Sequence, residues 1–73
     1  MKLYPNPVGD ILIIEADAEI KSFSMFDIQG RLLETVNVNS EKFEFDIQHF
    51  SNGTYIIRII TSGEIYNRRI VKE

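Results

Sequence analysis

The chain has 73 residues, with 8 basic and 11 acidic side chains and a formal net charge of −3. That length gives one domain at most, near the lower limit for an unaided core, because a chain of this size buries only about 60% of the surface its unfolded form exposes. The acidic balance argues against nucleic-acid binding, which calls for a basic stripe.

There is no cysteine, so neither a disulfide framework nor a thiolate metal site supplements the core. A hydrophobic share of 44% is enough to fold. No stretch approaches the roughly 18 apolar residues of a membrane helix, so membrane insertion is not expected. The start, Met1 to Pro5, lacks the apolar run of a signal peptide. Any export signal is therefore expected elsewhere on a longer precursor, with Met1 an added start.

Along the chain, Pro5 and Pro7 confine the first segment to an edge strand or an extended lead-in. Ile11 to Ile14 is a short apolar strand. Glu15, Asp17 and Glu19 then alternate with Ala16 and Ala18, which places three carboxylates on one face of an extended segment. Oxygen clusters bind calcium, but no glycine-containing coordinating loop accompanies them. A solvated edge that discourages aggregation is the better reading.

Ser22 to Phe26 and Arg31 to Val38 are predicted to form a hairpin. Asp27-Ile28-Gln29-Gly30 joins them, with Asp and Gly at the first and fourth positions of a type I turn. Leu32 and Leu33 compete for the inward face. Lys42 to Ile47 is a strand with Phe43, Phe45 and Ile47 on one face and Lys42, Glu44 and Asp46 on the other. His49 is the single histidine. Asp46 and Ser51 flank it, but triads are made by geometry and not by local sequence, so it is read as a loop residue.

Phe50-Ser51-Asn52-Gly53-Thr54-Tyr55 places a tight turn just before a strong strand. The Tyr55 hydroxyl either bonds to backbone a few residues upstream, as at a Greek-key corner, or Tyr55 is ordinary core. Thr54 to Thr61 carries apolar side chains on both faces, as a central or doubly covered strand does. Thr61-Ser62-Gly63-Glu64 is a second hairpin turn leading into Ile65 to Lys72, whose inward face alternation alone does not fix.

These elements predict an all-β fold, an Ig-like Greek-key β-sandwich of about seven short antiparallel strands in a single domain over residues 1–73. The expected core is Leu12, Ile14, Phe23, Met25, Leu33, Phe43, Phe45, Ile47, Tyr55, Ile57 and Ile59.

Four local patterns follow one another: Tyr4-Pro5-Asn6-Pro7, Asp27-Ile28-Gln29-Gly30-Arg31, Phe50 to Tyr55, and Arg69-Ile70-Val71-Lys72. Together they resemble the type A C-terminal sorting domain of type IX secretion cargo. That family shows a YPNP opening, a turn of Asp and Gly followed by a basic residue, a corner ending in Gly and Tyr, and a basic–aliphatic–aliphatic–basic ending. The resemblance runs from Leu3 to Lys72. Phe50 stands where Leu is usual, a tolerable apolar exchange. Arg69 stands where Lys is usual, which keeps the charge but changes the bonding geometry.

The resemblance implies a secretion signal of a Gram-negative bacterium. It would be carried behind an N-terminal cargo domain through the periplasm, and recognised by the shuttle and outer-membrane translocon. A cell-surface sortase would then remove it, leaving cargo on the surface or released. It implies recognition roles for Tyr4, Pro5, Asn6, Pro7, Asp27, Gly30, Arg31, Gly53, Tyr55, Arg69, Ile70, Val71 and Lys72.

Turn chemistry accounts for Asp27 and Gly30, leaving Arg31 with spare capacity. Asn6 reads as part of a rigid turn. Arg68, Arg69 and Lys72 form a basic terminus that either protects an edge or steers an encounter with the secretion machinery; the resemblance favours the encounter. Exposed edges also permit a weak homodimer by strand addition. The competing function is a non-catalytic Ig-like spacer or adhesion module. An enzyme is the least expected, because the sequence has no phosphate loop and no metal-spaced histidine cluster, and no cofactor is expected.

Overall fold

The computed structural model describes residues 1–73. It is all-β, with β1 (Lys2–Tyr4), β2 (Ile11–Asp27), β3 (Leu32–Asp46), β4 (Gly53–Thr61) and β5 (Ile65–Lys72). Hydrogen bonding joins them into one five-stranded sheet of order β1-β2-β4-β5, with β3 on the other side of β2. All the pairings between these strands are antiparallel.

Five strands in one sheet replace the expected seven in a two-sheet Ig-like sandwich, and the reason is local. Ile11 to Ile14 and Ser22 to Phe26 are two halves of β2, while the two expected strands between Arg31 and Ile47 are two halves of β3. The strands bend there without breaking the ladder. Glu15 faces Lys42 while Ile20 faces Ser40, so Ala16 to Glu19 bulge against a single residue, Glu41. Asn39 takes a left-handed φ of 58° at the same corner, a conformation asparagine tolerates. Bulges of this kind bend a strand and raise its twist.

The bend folds the sheet over itself. Phe23, in the second half of β2, lies with its ring centroid 4.7 Å from that of Phe45 and 5.3 Å from that of Phe43. Phe45 and Phe43 pair with Leu12 and Ile14 in the first half of β2. One layer is thus β1 with the first half of β2 and the second half of β3; the other is the remaining halves with β4 and β5. The molecule measures 30 × 22 × 16 Å, and its short dimension suits two layers with a single core between them.

Leu12, Ile14, Phe23, Met25, Ile47, Ile57 and Ile59 are fully buried, with Phe45 and Tyr55 nearly so. Leu33 and Phe43 are only partly buried against this core. Leu33 takes the inward side and Leu32 is left 53% exposed. Val8, Ile20 and Ile70 complete the core. Two of these were hidden in the sequence by their settings, Val8 in a proline-rich lead-in and Ile20 at the bend.

The outer face of the second layer is made of rows running straight across the strands. Leu32, Phe26, Ile56 and Arg69 form one row; Thr35, Ser24, Arg58 and Asn67 form the next; Asn37, Ser22, Ile60 and Ile65 form the third. Residues paired across strands share a face, so these three rows carry arginines and no carboxylate.

Phe23→Ala should cost about 3–5 kcal/mol. That is most of the stability of a domain this small, so urea titration should find it largely unfolded. Leu32→Ala should stay within about 0.5 kcal/mol of the parent.

Candidate functional site

Pro5 ends β1 after Tyr4, and the chain crosses from the first layer to the open edge of β5. There the Val8 N–H donates to the Val71 carbonyl at 2.7 Å and the Glu73 N–H donates to the Val8 carbonyl at 3.0 Å. The Val71 N–H donates to Asn6 Oδ1 at 3.3 Å. Val8 is itself buried, so this strap is packed as well as bonded. Asn6, expected only to shape a turn, therefore ties the first motif to the last. Both X–Pro peptide bonds of the motif, Tyr4–Pro5 and Asn6–Pro7, are cis. The Tyr4 hydroxyl donates to the Glu15 carboxylate. That bond, then desolvation, then the charges of Glu15 and Glu44 hold the phenol's pKa above its ordinary value.

The second motif is a self-contained turn. The Gly30 N–H donates to the Asp27 carbonyl and the Asp27 N–H to the Arg31 carbonyl, each at 3.0 Å. Gly30 sits at φ +90°, where a side chain would be strained; a left-handed glycine after a type I turn is the common three-residue hairpin solution. Asp27 Oδ1 accepts from the backbone N–H of Gln29 and of Arg31, both at 2.9 Å. The Arg31 Nε lies 3.2 Å from the other Asp27 oxygen. The Arg31 backbone bond, helped by the Gln29 bond and the Arg31 charge and opposed by desolvation, holds the Asp27 carboxyl below its ordinary pKa. Arg31 is thus partly engaged by its own turn.

At the third motif the Tyr55 hydroxyl donates to the Ser51 carbonyl at 2.6 Å. Its ring lies edge-on to Phe50 with centroids 6.0 Å apart. Both readings of Tyr55 hold together, since it is a hydrogen-bonded corner and a core residue. Gly53 opens β4 with φ +152°.

Strand register then unites the motifs. Asp27 pairs with Tyr55, and Tyr55 pairs with Ile70. Thr54 pairs with Val71 and Gly53 with Lys72, while Val8 bridges to Lys72 from the other side. All four motifs, scattered along the chain, meet at one end of the curled sheet.

The fourth motif divides in a way the sequence did not show. Ile70 and Lys72 turn inward, Ile70 fully buried and Lys72 only 9% exposed. Arg69 is exposed on the outer face opposite Ile56. The Arg68 guanidinium lies over the Tyr66 ring, 5.4 Å from its centroid. The expected basic terminus is therefore no single patch, because alternation along β5 sends neighbouring cations to opposite sides. Lys72 keeps its long stem against the core, as long cationic side chains do.

His49 is exposed on the turn before the corner, and the Ser51 hydroxyl lies 3.4 Å from that of Tyr55. Glu15, Asp17 and Glu19 do not converge: Glu15 accepts from Tyr4, and Glu19 pairs with Lys21 at 2.8 Å. The feature missed by sequence reasoning is the strap of Asn6 and Val8. Its one legible trace was an apolar residue straight after Pro7, and Val71, which bonds to Asn6, lies 65 positions further along the chain.

The family described as "Secretion system C-terminal sorting domain" matches residues 2–73. This chain belongs to that family, the type IX secretion C-terminal sorting domains. Among curated proteins no relative matches it.

Tyr55→Phe keeps the ring and removes one hydrogen bond, so it should cost about 1 kcal/mol in urea unfolding. Asp27→Asn tests the charge of the turn. A carboxyl whose pKa is lowered by folding stabilises fully above the ordinary value of about 4, and loses that contribution as pH falls through the lowered value. The variant should be less stable than the parent at neutral pH, and the two should converge in acid.

Proposed function

We propose that this domain is the export address of a larger cargo protein. In this reading the cargo lies N-terminal to it in the same precursor and reaches the periplasm by a separate signal. The sheet end where the four motifs meet is what the outer-membrane translocon and its shuttle recognise. A surface sortase then removes the domain, leaving the cargo on the cell surface or in the medium. The domain is the substrate in that step and performs no chemistry. The observation that carries the reading is the family match over residues 2–73, supported by the meeting of all four motif segments at one place. The bent two-layer sheet is read as a reduced form of the Ig-like Greek-key sandwich.

The test is a fluorescent reporter with a periplasmic export signal, followed by residues 3–73, placed in a type IX-competent host and in a strain lacking the translocon. Reporter should reach the surface or medium in the competent strain only. Retention of a folded, uncleaved fusion in the periplasm of both strains would contradict the sorting role and leave a structural spacer.

A further inference from the structure

We propose that the outer face of the second layer is a docking surface for a partner protein segment that combines apolar side chains with carboxylates. Its floor is the row of Leu32, Phe26, Ile56 and Arg69. Large apolar groups stay in water at this end of the face, Leu32 53% exposed and Ile28, in the adjoining turn, 70%; Ile65, 62% exposed, stands at the far corner. Leu32 and Ile28 lie at the end of the face where Phe26 and Ile56 are only partly covered, and exposed apolar side chains grouped in this way mark an interaction site. Between the Asp27 turn and β4 the face dips into a depression of about 260 Å³ lined by Phe26, Asp27, Ile28, Gly30, Ile56, Arg58 and Asn67.

The electrostatics select the occupant. Arg58 and Arg69 stand on this face and its three cross-strand rows contain no carboxylate, although the chain as a whole carries −3. The nearest acid, Asp27, is already satisfied by its own turn. Arg58 is held in place: its Nε donates to Asn67 Oδ1 at 3.1 Å, and its guanidinium lies 5.7 Å from the centroid of the Phe26 ring. That leaves the two terminal nitrogens to donate to a carboxylate, from a guanidinium already oriented and partly shielded by an aromatic ring. The opposite outer face differs, since Glu44 and Asp46 stand there beside Ile13 and Ile11. A basic apolar floor next to the end where the motifs meet fits an acidic apolar segment, and complementary charge sets its register.

The proposal rests on the sorting role only in taking the docked segment to belong to the secretion machinery; the face itself can be tested without export. The probe is a short synthetic peptide alternating Val and Glu, compared with one alternating Val and Lys, titrated into isotope-labelled chain and followed by NMR. The Glu peptide should give saturable shifts at Leu32, Phe26, Ile56 and Arg58 and leave Ile13 and Glu44 unmoved. The Lys peptide should give none. Replacing both Arg58→Gln and Arg69→Gln should weaken binding about tenfold or more, the scale of a lost charge-assisted hydrogen bond, while the thermal melt shows the fold intact. Equal response to both peptides, no saturable response, or shifts on the Ile13 face would overturn the proposal. So would concentration-dependent dimerisation abolished by Ile56→Asp, which would assign the face to a second copy of the chain. A negative result here with successful reporter export would reject the face and leave the sorting role standing.

Discussion

In this short domain without cysteine, the lead-in and the last strand are held together through Val8. The residue is buried, its N–H bonded to Val71 of the last strand at 2.7 Å and its C=O to Glu73, just beyond that strand, at 3.0 Å. Without that strap the last residues of the β5 edge, beside the buried Ile70, would lose their hydrogen-bond partner, and Val8 would leave the core. The bulge at Ala16 to Glu19 brings the two layers together; the strap ties the lead-in to the end of β5. Neither contact is local, so the fold depends on pairing residues at opposite ends of the chain.

This arrangement explains why the family's motif residues sit where they do. Gly30 and Gly53 hold positive φ, Asp27 satisfies two turn amides, Tyr55 ties the corner, and Ile70 fills the core. Most of the pattern is thus structural chemistry assembled at one end of the molecule. A machinery that reads this pattern would be reading a completed fold, because the motifs adjoin one another only once β2, β4 and β5 are paired and the strap is in place. Groups left over for direct contact are few, and Arg69 is the clearest among the motif positions.

Much of this was legible in the sequence wherever the signal was local. The alternation of Phe43, Phe45 and Ile47 located a strand and its inward face; the spacing of Asp27 and Gly30 located a turn; Gly53 and Tyr55 located a corner. Legibility failed where geometry is set at a distance. A bulge leaves no mark in alternation except its interruption, so β2 and β3 each read as two strands. Val8 had no visible partner because that partner is at the other terminus. Lys72 was grouped with Arg68 and Arg69 in a basic terminus, with the inward face of the strand left open, and the strand's parity turns it inward. The division of the basic terminus follows from that same parity, fixed by the register of Tyr55 against Ile70.

Native-state hydrogen exchange at Val8 and Glu73 tests the closure most directly. If the strap is integral to the fold, both amides open only with the whole molecule and exchange with the same free energy as Ile57 in the middle of β4. Exchange of Val8 and Glu73 at the rate of fraying termini, with Ile57 still fully protected, would show that the sheet closes without them and contradict the account.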